Sequence, residues 1–174
     1  MDEFLSGYYG KSAAPALRKF IDMVENGPRK TRMTVGCGHR TVAFLGAPDK
    51  LVAARLMDEA TAAAERDGEP FAGRVRRERL SVDHYLLLNY DVLRRFAASR
   101  KLPWTRPATR AEAVENWIRD VKAFGVKARR ETTSADEIEA YFGKIRDEAT
   151  FDRLMKSGRK DKIHKLPPSA AQPK

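Results

Sequence analysis

The sequence predicts an all-α protein: an irregular bundle of five to six helices around one long central helix, with a disordered basic tail. Three observations carry this. Apolar residues recur three and four positions apart, as in Leu17-Phe20-Ile21-Val24 and Val114-Trp117-Ile118-Val121-Phe124, which is the period of a one-sided helix. No convincing pair of alternating segments and no internal repeat competes with that pattern. Gly, Pro, Asn and Asp stand between the apolar runs, where caps and breaks belong.

The elements follow in order. A short helix from Asp2 to Tyr8 has acidic residues in its first turn, where the helix dipole favours them, and Gly10 stops it. Ser12 is placed to cap the next helix, with Pro15 in its first turn, and Asn26-Gly27-Pro28 is expected to end it. Residues 29–48, interrupted by Gly36, Gly38 and Gly46, read as a structured loop, with a short hairpin of Thr31–Cys37 and Thr41–Leu45 as the lesser alternative. From Asp49 an alanine-rich helix carries Leu51, Ala54, Met57, Ala60 and Ala64 up to Asp67-Gly68; alanine favours helix and allows close approach of a neighbour.

The central helix is predicted from Phe71 to Arg100, with Val75, Val82, Leu86, Asn89, Leu93 and Phe96 forming a heptad-like seam. Pro103 and Pro107 break the chain around Trp104, and Thr109 with Glu112 forms a capping-box pattern for a helix ended by Gly125. Arg129-Arg130 reads as a charged linker. Ser134 and Glu137 repeat the capping signature before Ile138, Tyr141, Phe142, Ile145, Phe151 and Leu154, and Gly158 closes that helix. Residues 1–158 form one helical domain in this reading, and 159–174 the tail.

The chain of 174 residues carries 34 Lys and Arg against 24 Asp and Glu, a net charge of +10. In the tail, Arg159, Lys160, Lys162, Lys165 and Lys174 against Asp161 leave +4, so the remainder carries +6. Such an excess admits a polyanionic partner. Arg74, Arg76, Arg77 and Arg79, with Arg94, Arg95, Arg100 and Lys101, flank the central helix and are the candidate contacts to nucleic acid. Glu78, Asp83 and Asp91 interrupt the cluster, and no known nucleic-acid module is legible.

Enzymatic constellations are missing. The single cysteine forbids an internal disulfide, and Cys37-Gly38-His39 lacks an orienting third group, an oxyanion donor pair and further zinc ligands. His84 reads as a half-buried or surface histidine. The neighbours Asp58 and Glu59, like Asp147 and Glu148, read as solvated faces, since adjacent helical carboxylates do not converge on one bond. Gly36 and Gly38 lack the lysine of a phosphate loop. Neither cofactor nor metal is called for, and the catalytic inventory is empty. Tyr8 and Tyr9 offer aromatic faces suited to a sugar, although anchoring the first helices together is the plainer role. No run of 18 apolar residues suits a membrane span, and Met1 to Ser6 lacks the basic and apolar regions of a secretory signal, which reads as cytoplasmic.

The segment from Asp2 to Asp22, with Tyr8-Tyr9-Gly10 and Ala13-Ala14-Pro15, resembles the start of the C-terminal helical region in a large, mostly bacterial family of uncharacterised carbohydrate-active proteins related to α-glucuronidase-type glycoside hydrolases. Leu56 to Ala60 and Arg74 to Ser81 are similar in the same order. The resemblance covers residues 2–100 well and 109–156 loosely. It implies catalytic acids on a (β/α) barrel upstream of this region, so no catalytic residue carries over to this chain. It also implies a detached or freestanding helical module whose partner is that barrel or a second copy, with carbohydrate reached only through the parent protein, which in this family is often exported. The competing expectation is a freestanding basic helical protein that binds nucleic acid.

Overall fold

The computed structural model describes residues 1–31, 45–126, 128–130, 133–134 and 140. Six helices are present among them: α1 (Asp2–Tyr9), α2 (Ala14–Thr31), α3 (Ala47–Asp67), α4 (Phe71–Leu88), α5 (Tyr90–Ser99) and α6 (Arg110–Ala123). The all-α class is therefore observed. Two short strands, β1 (Ala128–Arg130) and β2 (Thr133–Ser134), pair antiparallel where a linker and a helix cap were expected. The helix expected beyond Ser134, the tail, and the Cys37-Gly38-His39 loop lie outside the described residues, apart from helical Ala140.

Alanines let α3 nestle between its neighbours. Ala60 and Ala64 are fully buried and join Ala13, Leu17, Leu5, Met57 and Val75 in one apolar cluster of α1, α2, α3 and α4. A second cluster unites α4, α5 and α6 through Leu80, Leu87, Tyr90, Val114, Trp117, Ile118 and Val121. Ala54, Leu86 and Leu93 bridge α3, α4 and α5. Helix α4 contributes to all three.

Two helix ends follow their sequence signals closely. Thr109 Oγ1 accepts from the Glu112 backbone N–H at 3.2 Å, capping α6. At the other end Gly125 takes φ +59°, its N–H donates to Lys122 O, and the Val126 N–H donates to Val121 O at 3.1 Å. That is a Schellman ending, with Val126 packed on the same cluster as Val121.

Three boundaries differ from expectation, each for a side-chain reason. The predicted Phe71–Arg100 helix breaks at Asn89. There the Asn89 side-chain amide donates to Tyr85 O at 2.9 Å, while its backbone N–H moves to Leu86 O. Lys50 of α3 donates to the Asn89 side-chain oxygen at 3.2 Å and holds the break in place. Ser12 does not cap α2: its backbone N–H and hydroxyl both donate to Asp67, at 2.9 and 2.6 Å, tying the α1–α2 turn to the end of α3. Those hydrogen bonds hold the Asp67 carboxyl below its ordinary pKa. Gly10 in this turn has φ +92°, and a Cβ there would stand 2.4 Å from Asp67 Oδ2, so only glycine fits. Finally, α2 continues through Asn26-Gly27-Pro28 to Thr31, because a proline near a helix end removes only one late hydrogen bond.

Candidate functional site

A cleft of about 320 Å³ opens between α3, α4, α5, α6 and the segment of residues 100–109. Leu51, Leu93 and Trp104 form its apolar wall, and of the six charged side chains that line it, four form a ring. Arg79 of α4 reaches Asp58 of α3 at 2.6 Å and Asp83, one turn further along α4, at 2.9 Å. Arg106 closes the ring, pairing with Asp58 and lying 3.4 Å from Asp83. Thr105 donates its hydroxyl to Asp58 at 3.2 Å, and Arg79 also donates to Thr61. Sequence reading placed Asp58 on a solvated face; the structure corrects that, because its partner Arg106 arrives 48 positions later. Its neighbour Glu59 does lie outward, paired with Arg55 at 3.1 Å.

The ring carries two positive and two negative charges, and its carboxylates are pushed apart in acidity. Burial opposes the charge of Asp58, but hydrogen bonds and charge from Arg106 and Arg79 prevail and hold it below the ordinary carboxylate value. Asp83 is more deeply enclosed, and desolvation, aided by the nearby Asp58 charge, raises it despite both arginines. A split pair of acids suits acid/base chemistry in principle. Here all four carboxylate oxygens already accept from guanidinium groups, so the ring's evident work is to staple α3, α4 and residues 105–106 together. Among the described residues no group of three His, Cys, Asp or Glu could hold a metal.

A pH dependence follows from Asp58. Its folded pKa is depressed, so its stabilisation is present above the ordinary carboxylate range and fades as pH falls through the depressed value. Asp58→Asn is expected to cost about 1–3 kcal/mol at neutral pH, less than for a wholly buried pair, because 31% of the side chain is exposed. Urea unfolding of both proteins at neutral pH and near pH 3 checks this, the difference closing in acid. Asp83 acts in the opposite sense, its raised pKa favouring the fold as pH falls.

The second candidate surface is α1. Phe4 and Tyr8 are solvent-exposed yet ordered: their rings stack at 5.5 Å and 10°, and Tyr9 meets Tyr8 edge-on at 4.8 Å. The Arg74 guanidinium lies 4.4 Å from the Tyr8 ring centre and donates to the Tyr8 carbonyl at 2.9 Å. Tyr9 turns inward against the α2–α3–α4 cluster. Burial, together with the charge and hydrogen bond of Glu78, pushes its hydroxyl up to about 12. The two tyrosines thus divide the roles weighed from sequence: Tyr9 anchors α1, and Tyr8 faces solvent.

The four arginines singled out from sequence do not converge. Arg74 rests on Tyr8, Arg76 pairs with Glu69 at 2.6 Å, and Arg79 belongs to the charged ring. Arg77 is exposed. Successive spacings of one and two residues point in different directions around one helix, which explains the dispersal. His84 is half-buried beside Trp117, with ring centres 5.5 Å apart. No described helix is long and apolar enough to cross a membrane. Compared with known proteins, the chain matches no family model, no curated protein and no solved structure.

Proposed function

We propose that this chain is a non-catalytic helical module of a glycoside-hydrolase-like, carbohydrate-active protein, acting by docking onto a barrel domain or a second copy of itself. The observation that carries the reading is the ordered aromatic surface of α1, where Met1, Phe4 and Tyr8 remain 63%, 57% and 42% exposed. Rigid aromatic side chains at the surface, with an arginine stacked on them, are the composition of binding anchors. The Tyr8-Tyr9-Gly10 and Ala13-Ala14-Pro15 pattern supplies the family assignment within the proposal. The charged ring supports the absence of catalysis, because its carboxylates are engaged by arginine rather than poised toward an open bond.

The test is turnover. Purified chain incubated with 4-nitrophenyl glucuronide and a panel of aryl glycosides is expected to release no nitrophenol above the buffer rate. Release that disappears in Asp58→Asn or Asp83→Asn would make the ring an active site and overturn the proposal.

A further inference from the structure

We infer that α1 is the interface between two copies of this chain, crossing antiparallel about a two-fold axis beside Gly7. This rests on the reading of α1 as a docking face and names its partner. The face opposite buried Leu5 and inward-turned Tyr9 carries Glu3, Phe4 and Gly7, with Tyr8 at its shoulder and Lys11 just past the helix end.

Gly7 is the unusual member. Glycine inside a helix costs about 1 kcal/mol relative to alanine. At Gly7 no left-handed φ requires it, and a Cβ there would meet nothing within 4 Å among the described residues. Packing among the described residues gives no reason for the missing side chain. A second helix crossing closely at that point does, because glycine lets two backbones approach.

The charges agree with a self-complementary contact. Glu3 and Lys11 are both exposed, and neither has an ion pair among the described residues. Glu3 lies in the first turn of α1 and Lys11 in the turn just past its end, one on each side of Gly7 in the sequence. In an antiparallel pair Glu3 of each copy approaches Lys11 of the other, and the opposed helix dipoles attract. A two-fold axis requires this kind of patch, in which one surface carries both halves of each contact. Phe4 and Tyr8, pre-stacked and steadied by Arg74, meet their counterparts beside the axis with little ordering left to lose.

Sedimentation velocity across about 1–100 μM tests the inference on the intact chain. The expected result is a concentration-dependent dimer that Gly7→Gln weakens by about tenfold or more, with the circular dichroism melt of the dilute monomer unchanged or raised. Open space around Gly7 makes that variant safe for folding. Glu3→Lys and Lys11→Glu are each expected to weaken the dimer, and the double variant to restore it. A chain that stays monomeric at the highest concentration overturns the inference. So does a dimer indifferent to Gly7→Gln and to the charge swaps. Either result leaves the non-catalytic reading standing, because turnover tests that separately.

Discussion

Replacing Arg110 by alanine is expected to lower the stability of the fold by about 3–5 kcal/mol, with a fall in Tm on the order of 10 °C. Arg110 opens α6 with only 5% of its surface exposed. Its guanidinium pairs with Asp91 in the first turn of α5, reaches toward Leu87 O at 3.5 Å, and lies 5.9 Å from the Tyr90 ring centre. Removing it leaves the Asp91 carboxylate, 15% exposed, without its closest counter-charge, and that uncompensated desolvation is the source of the loss. Urea unfolding of Arg110→Ala, Asp91→Leu and the double variant measures the coupling. The double variant is expected to lose less than the sum of the singles. A single-variant cost below about 1 kcal/mol would show that water reaches the pair as it does a surface bridge.

The second large effect belongs to Met57. Its side chain is 1% exposed and sits in α3 where α1, α2, α3 and α4 share one apolar cluster. Met57→Ala is expected to cost about 2–5 kcal/mol, the transfer loss plus the cavity left behind. Fluorescence-monitored urea unfolding should show a lower midpoint with an unchanged slope, since the surface exposed on unfolding hardly alters. The upper part of the range is expected, because surrounding helices pinned by fully buried Ala60, Ala64 and Ala13 have little freedom to collapse inward.

The sequence signals that succeeded are local ones. Gly68 and Gly125 end α3 and α6, and Thr109 caps α6, because each needs only the geometry of its own turn. The failures needed a distant partner. Asn89 lies on an unbroken apolar seam, and nothing within it announces that Lys50 will hold its side chain across the break. Ser12 has the residue type of a cap, but Asp67, 55 positions away, competes for it successfully. Asp58 is polar on a polar-looking stretch, and the ring exists only because Arg79 and Arg106 fold onto it. One signal was available and unused: Gly7, a glycine inside a helical pattern, marks either a stop or a close contact, and α1 passes straight through it.

The shared role of α4 governs how the molecule opens. Val75 belongs to the cluster with α1, α2 and α3; Leu80 and Leu87 belong to the cluster with α6; Leu86 joins α3 and α5. Neither lobe can melt and leave the other with its apolar surface covered. The amides from Val75 to Leu87 are therefore expected to exchange with deuterium only when the whole bundle comes apart, and those of α1 through smaller, cheaper openings. Protection against exchange is expected to peak in this one helix, the spindle that both apolar clusters share.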